Sequence, residues 1–213
     1  MSIFYEVRRE YELSDLTEAD LTQSPFELFE SWLKQAMEIK QISDPTAMIV
    51  ATVDEEGQAF QRTVLMKAVD DESLTFYTNQ NSRKGQHLQQ NPKISAIFPW
   101  LAAERQVLFS GVVEKLSEHE NDAYFASRPF TSQIAALASH QSEVIKDRQT
   151  LEKHYHKLLE KYQGKDVPRP LNWGGYKIKA HEVEFWQGGE FRLHDRFRYF
   201  KKQNNWQVER LQP

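Results

Sequence analysis

The chain has 213 residues, 39% hydrophobic and 27% charged, a length that suits one compact domain and a composition that excludes a disordered or low-complexity chain. Its 27 Lys and Arg against 31 Asp and Glu leave a net charge of -4, so no global positive field draws nucleic acid or an anionic membrane, and any anion site is local. The absence of Cys excludes a disulfide framework, thiolate-held zinc, an iron–sulfur cluster and a cysteine nucleophile.

Residues 1–22 carry many charges and no sustained period, which reads as a flexible N-terminal arm, and residues 23–213 read as a single domain. The opening MSIFYEVRREYE lacks the apolar core of a signal peptide, and no run of about 18 apolar residues is present to span a bilayer, so the expectation is a soluble, cytoplasmic protein. Ser24-Pro25-Phe26-Glu27 combines a capping-box pattern with Pro at the first helical position. Phe26, Phe29, Trp32, Leu33, Ala36 and Met37 follow at helical spacing and predict a helix to Lys40. From Pro45 the period becomes that of strands. Ala47–Val53, Phe60–Val69 and Leu74–Thr78, joined by turn compositions, predict three consecutive antiparallel strands. Ser82–Gln90 predicts a short helix ended by Asn91-Pro92, and Lys93–Pro99 and Arg105–Leu116 predict two more strands. Ser117-Glu118-His119-Glu120 opens a helix that stops before Pro129; Thr131–Ser139 and Val144–Gln163 predict two further helices. Tyr176–Trp186, Phe191–Lys202 and Trp206–Leu211 predict the last strands, the final pair joined at Asn204-Asn205. Many short strands that do not alternate with helices oppose a doubly wound sheet and favour an antiparallel barrel with helical decoration. Ala47-Met48-Ile49-Val50-Ala51 is apolar on both faces, so its outer side needs a cover from helices or from a second subunit.

No dinucleotide-binding glycine motif, phosphate-binding P-loop, nucleophile elbow or zinc-protease motif is present. His154 and His156 point in different directions on their predicted helix and read as solvated residues, so no metal is expected. Three positive signals remain. Asn79–Lys84 puts Ser82, Arg83 and Lys84 where a strand hands over to a helix, a phosphate site in physical terms and, equally, a common solvated cap. Tyr124 and Arg128 share one helix face, with Ser132 in the next helix's opening turn; a phenol, a guanidinium and a hydroxyl there converge on one anion, or form a partly buried Tyr beside an exposed Arg. Finally, the run from Glu184 to Arg196 reads as a hairpin whose far strand projects Arg192, His194 and Arg196 from one face, with Trp186 and Phe191 as an aromatic floor for a planar anionic ligand. Arg62 and Lys67 have opposite parity and share a face only if their strand bulges or ends between them; otherwise one of the two serves through its backbone alone. Gln106, on an inner strand, reads as a routine sheet amide.

Several blocks resemble the pyridoxine/pyridoxamine 5′-phosphate oxidase family: Arg62-Thr63-Val64-Leu65-Met66-Lys67, Phe76–Asn79, Ser82-Arg83-Lys84, Glu104–Val107, Ser127-Arg128-Pro129, Ser132-Gln133-Ile134, Gln141-Ser142 and Phe185–Gly189 through Arg192–Arg196. The likeness runs from Arg8 to Pro213, and it is the order and spacing of the blocks that make it specific. It implies a mainly β fold with helices (α+β), a split antiparallel β-barrel acting as a homodimer with FMN held between the subunits. By resemblance FMN contacts fall on Arg62, Thr63, Val64, Leu65, Met66, Lys67, Tyr77, Thr78, Arg83, Lys84, Gln106, Gln141, Ser142, Trp186 and Arg196. Substrate contacts carry over to Lys67, Tyr124, Arg128 and Ser132 at its phosphate, and to Arg192, Leu193 and His194 at its ring, with Arg192 and His194 in the catalytic role. Arg8-Arg9-Glu10-Tyr11 matches a segment that closes over the substrate, which makes the arm an active-site lid. The implied reaction moves a hydride from C4′ of pyridoxine 5′-phosphate or pyridoxamine 5′-phosphate to N5 of FMN. O₂ then reoxidises the flavin, giving pyridoxal 5′-phosphate and H₂O₂, with ammonia from the amine. Asp44 is a weaker candidate for a polar contact. A flavin-binding barrel or reductase without oxidase activity is the alternative, and the presence of Tyr124, Arg128, Ser132, Arg192 and His194 weighs against it. A nucleic-acid-binding barrel using the stripe from Arg192 to Lys202 is opposed by the negative net charge.

Overall fold

Short β-rich runs separated by polar turns can satisfy their backbone groups only by pairing in sequence, and a computed structural model describing residues 9–213 has them do so. Strands β1 (Ala47–Val53), β2 (Ala59–Val69) and β3 (Ser73–Asn79) form an antiparallel meander, and β4 (Lys93–Trp100) and β5 (Arg105–Lys115) form a hairpin. β4 lies along the free edge of β1, and β6 (Trp173–Gln187) along β5. The first half of β6 also pairs with β3, from Ser73↔Lys179 to Asn79↔Trp173, which closes a six-stranded antiparallel barrel. Beyond the closure β6 continues, and Glu182–Gln187 pairs with β7 (Asp195–Lys202), which pairs with β8 (Asn205–Leu211). The change of neighbour coincides with a bulge against β5 at Ser110/Gly111, where a Cβ on Gly111 would stand 2.3 Å from the Lys179 carbonyl oxygen.

Five helices decorate this frame. α1 (Pro25–Glu38) is capped by the Ser24 hydroxyl, which accepts from the Phe26 N–H at 3.3 Å; Glu27 returns no bond among the described residues, so the cap is single rather than a box. Its apolar stripe packs Phe29 against Phe98 and Phe109 at ring separations of 4.9 and 5.0 Å, and Trp32 against Phe185 at 5.2 Å. α2 (Arg83–Gln90) starts at Ser82, as expected. α3 (Glu118–Ser127) carries the full Ser117/Glu120 capping box, and α4 (Phe130–Ala138) follows it directly. α5 (Arg148–Tyr162) begins later than the apolar pattern predicted because the Asp147 carboxylate, accepting from the Thr150 N–H at 2.7 Å, sets the cap.

Two strand expectations need correction. Phe191–Lys202 was expected to be continuous, but Glu190–Arg192 forms a 3₁₀ turn with Phe191 and Arg192 at φ of 55° and 64°, a left-handed geometry no strand accommodates. β7 therefore starts at Asp195, and the final hairpin turns at Gln203-Asn204 rather than Asn204-Asn205. β6 in turn starts at Trp173, three residues before the apolar run.

Arg8 and the residues before it lie outside the described residues. Residues 9–22 lie against the barrel: Leu16 is buried, and Thr22 exchanges two hydrogen bonds with the Tyr199 hydroxyl. The principal anchor is Glu104, whose side chain is 4% exposed. It takes the Arg9 guanidinium at 2.5 Å and the N–H groups of Glu12 and Leu13 at 3.0 and 3.1 Å. Burial alone would raise this carboxyl's pKa; Arg9 and the two N–H donors outweigh it and hold it below the ordinary range. The Glu104 contacts set Tyr11 on Gly188, where a Cβ would stand 2.4 Å from the Tyr11 ring. Replacing Glu104 with Ala should release the arm, on the order of 1–2 kcal/mol of local docking, so that trypsin cuts after Arg9 several times faster while the barrel's unfolding midpoint barely moves.

Candidate functional site

A cavity of about 820 Å³ opens between β2, β3, the starts of α2 and β6, and helices α3 and α4. Five cations line it, Arg62, Lys67, Arg83, Lys84 and Arg128, with no carboxylate among the lining residues. In a chain of net charge -4 that concentration is a local anion site. Lys84 is buried and held by neutral acceptors, Thr78 Oγ1 at 2.9 Å, Gln141 Oε1 at 3.2 Å and Ser82 Oγ at 3.3 Å. Burial, then the Arg62 charge, lowers its pKa to about 8. Arg62 is likewise lowered by burial and by Arg83, and it donates to Thr52 Oγ1 at 2.7 Å. Arg62 and Lys67, of opposite parity, reach one cavity because the β2–β3 register shifts between Met66 and Ala68. Met66 between them points into the core.

One wall is aromatic. The rings of Tyr77 and Tyr124 stack at 3.9 Å, Trp173 lies 5.3 Å from Tyr77, and the three planes are nearly parallel. The Arg128 guanidinium sits 4.7 Å over the Trp173 ring, and its buried Nη1 has no hydrogen-bond partner. An anion in the cavity would supply that partner. Ser132 is half-buried in the first turn of α4, and does not line the cavity.

A second cluster stands at the far end of β6. Gln106, Trp186 and Arg196 are register partners across β5, β6 and β7. His194 lies 4.7 Å from the Trp186 ring, and Tyr11 covers both, at 5.7 Å from Trp186 and 5.2 Å from His194. A cleft of about 680 Å³ runs between the arm and the turn Gly189–Asp195. Arg192, His194 and Arg196 were expected on one strand face. Only Arg196 is on a strand; the left-handed turn at Phe191 and Arg192 leaves Arg192 and Leu193 exposed ahead of it. The Gly189 N–H donates to His194 Nδ1 at 3.1 Å, and burial followed by the Arg192 charge lowers the imidazole's pKa, favouring its neutral form.

The expected residues thus fall into two groups. Arg62, Thr63, Val64, Leu65, Lys67, Tyr77, Thr78, Arg83, Lys84, Tyr124, Arg128, Gln141 and Ser142 line the cavity. None of Gln106, Trp186, Arg192, Leu193, His194 and Arg196 does, nor do Arg9, Glu10 and Tyr11 of the arm. At about 3.3 Å per residue, the run of β6 from Trp173 to Trp186 spans on the order of 40 Å, too far for one small ligand to touch both. Asp44 is exposed, and among the described residues only its carbonyl is engaged, by the Ala47 N–H. Trp173, Thr52, His87 and Glu104 were missed. Trp173 is disguised by the Gly174-Gly175 pair that follows it, and the other three act through long-range contacts.

The family model for pyridoxamine 5′-phosphate oxidase matches residues 35–162, and that for the pyridoxine 5′-phosphate oxidase C-terminal dimerisation region matches residues 173–213. A pyridoxine/pyridoxamine 5′-phosphate oxidase of Aliivibrio fischeri (strain MJ11) is 55% identical over 208 residues, covering 98% of either chain, and one of Vibrio cholerae serotype O1 (strain M66-2) is 54% identical over the same length and coverage. Among solved structures, PhzG from Burkholderia lata 383, in complex with tetrahydrophenazine-1-carboxylic acid, superposes with a TM-score of 0.88 at 32% identity, over 94% of this chain and 99% of that one. A pyridoxamine 5′-phosphate oxidase-related, FMN binding protein from Nostoc punctiforme PCC 73102 shares the fold at a TM-score of 0.71 and 15% identity, over 91% of this chain and all of that one.

The depressed Lys84 pKa has a signed consequence. The ligand-free protein should gain stability from this group as pH rises from about 8 toward the unfolded-state value of 10.5, because the unfolded chain then binds the extra proton. Affinity for a phosphate-bearing ligand should fall over the same range. Thermal unfolding and binding titrations at pH 7 to 10 should move in opposite directions, and Lys84→Met should abolish this component of both trends.

Proposed function

The chain belongs to the pyridoxamine 5′-phosphate oxidase family, and from that premise we propose how its two clusters divide the work. It is an FMN-dependent oxidase of pyridoxine 5′-phosphate and pyridoxamine 5′-phosphate, and it forms a homodimer. The observation that carries the assignment of roles is the cavity with five cations and no carboxylate. Two phosphate-bearing ligands would engage such a set, and the residues fit FMN at the α2 end: Lys84, Arg83 and Arg62 surround its phosphate, while Gln141, Ser142 and Thr78 offer hydrogen-bonding partners beside it. Lys67, Tyr124 and Arg128 would then take the substrate phosphate, with the unpartnered Arg128 Nη1 as a ready donor; Ser132, which does not line the cavity, would join them only by a change of side-chain position.

Held by the residues named above, FMN would supply the hydride acceptor for the substrate's C4′, with O₂ as the final acceptor reduced to H₂O₂; from the amine substrate, water would hydrolyse the resulting imine to the aldehyde and ammonia. The protein's part is to orient and to manage protons. Because His194 Nδ1 receives the Gly189 N–H, its own proton sits on Nε2, so His194 acts toward the substrate ring as a hydrogen-bond donor rather than a base. The Arg192 guanidinium disfavours a positive charge on the substrate and so eases loss of a proton from its amine or alcohol. Gln106, Trp186 and Arg196 are remote from the cavity in one chain; a partner subunit would supply them to it, and this supports the reading of FMN at the subunit interface. Residues 23–213 form the single FMN-binding domain, and the arm, with Tyr11 over His194 and Trp186, serves as the lid.

Anaerobic addition of pyridoxine 5′-phosphate to the FMN-loaded protein should bleach the oxidised-flavin band, and air should restore it. Arg192→Met should slow the bleaching by roughly 100-fold or more, the scale of a lost positioned charge at a reacting centre, with FMN still bound. A yellow protein that does not bleach would contradict the oxidase reading, and loss of FMN in the Arg192 variant would assign that residue to the wrong ligand.

A further inference from the structure

Behind the cavity lies a buried polar pair that the reaction does not explain. Thr52, near the end of the apolar strand β1, is fully buried, and His87 on α2 is 7% exposed. Thr52 Oγ1 and His87 Nδ1 are 3.0 Å apart, while the Arg62 Nη1 donates to the same Oγ1 at 2.7 Å and to the Val50 carbonyl at 3.4 Å. Burying such a pair where apolar residues would pack equally well costs stability unless it serves something else.

We propose that His87, acting through the Thr52 hydroxyl, is a positioning residue that aims Arg62 at the phosphate of the bound flavin nucleotide. This rests on the FMN assignment above. An imidazole with its proton on Nε2 accepts the Thr52 O–H at Nδ1. The Thr52 hydroxyl has one proton, and once that is committed to His87 its lone pairs are left for the guanidinium. No carboxylate salt bridge holds Arg62 among the described residues, so the threonine oxygen and one backbone carbonyl are what fix the guanidinium while it stays electrostatically unsatisfied. His87 lies one helical turn after Arg83 and Lys84, and the Phe60 ring touches both sides, 5.3 Å from His87 and 5.0 Å from the Arg83 guanidinium. The relay therefore ties Arg62 on β2 to the helix that presents the other two phosphate cations. The three charges are held in register from two elements.

The test is binding to the ligand-free protein, followed by flavin fluorescence, with FMN and with riboflavin, which shares the ring and ribityl chain but lacks the phosphate. Thr52→Val should weaken FMN roughly tenfold and His87→Leu somewhat less, the scale of a hydrogen bond to a charged group, with riboflavin affinity unchanged in both. The double variant should be no weaker than Thr52→Val alone, since both changes break one relay, and Thr52→Ser should restore FMN binding to within about twofold. His87→Asn, too short to reach Thr52, carries the same expectation as His87→Leu and decides the matter should the Leu variant fail to fold. Unchanged FMN affinity, a parallel loss of riboflavin, or additive effects would overturn the proposal. A wild-type protein that binds riboflavin and FMN equally well, or neither, would overturn the FMN phosphate assignment instead.

Discussion

The continuity of β6 is the constraint on which the rest of the structure depends. Its first half closes the barrel on β3 and its second half leaves the barrel to carry β7 and β8, so one uninterrupted strand has two different neighbours on the same side. The ladder with β5 runs almost its whole length, which makes the strand stiff and keeps its ends apart. Trp173 at one end walls the cationic cavity, and Trp186 at the other belongs to the Gln106, His194 and Arg196 cluster. A single barrel can build both groups but cannot bring them together. Under the proposed arrangement a second copy related by two-fold symmetry would do so, making two equivalent sites at once.

The electrostatics follow from the same division. Concentrating Arg62, Lys67, Arg83, Lys84 and Arg128 without a carboxylate is unfavourable in the empty protein: burial first, and then a neighbouring cation, lowers the pKa of Lys84 and of Arg62, while burial lowers that of Arg128. The chain tolerates it by holding the buried cations with neutral acceptors, Thr78, Gln141, Ser82 and Thr52, which orient charge without cancelling it. Several arginines outside the cavity are paired conventionally: Arg169 bridges Glu118 and Asp122, and Arg210 ties Glu18 to Asp195. The site is marked by five cations gathered in one cavity with no carboxylate partner among the described residues.

What could be read from sequence was what local pattern controls. Alternation and turn residues place β1 to β5 to within a residue or two, and Ser82 marks the start of α2 because a hydroxyl before Arg83 has few other uses. The parity clash between Arg62 and Lys67 leaves a bulge, a strand end or a backbone-only role open, and the register shift between Met66 and Ala68 is the first of these. The turn at Phe191 and Arg192 was not legible: alternation of apolar residues runs straight through it, and neither residue has the composition that advertises a positive φ. Trp173 was hidden by Gly174-Gly175, which weakens a strand pattern even where the backbone is fully paired. Glu104, Thr52 and His87 owe their roles to partners far along the chain, which no local window contains. Closure of the barrel, the dimer and the cofactor came from the family likeness, and periodicity alone stops at an antiparallel barrel in need of a cover.

The central claim, that each site is built from the cavity of one subunit and the β6–β7 cluster of the other, is tested most directly by mixing two defects. One copy carries Lys84→Met, which disables its cavity, and the other carries Arg192→Met, which disables its far cluster; either homodimer should be nearly inactive. If the sites are shared, co-expressed and randomly paired subunits should recover about a quarter of the wild-type oxidase activity, because half of the dimers are mixed and each of those has one intact site. Activity of the mixture no greater than the average of the two homodimers would mean that each chain builds its site alone, and would contradict the account.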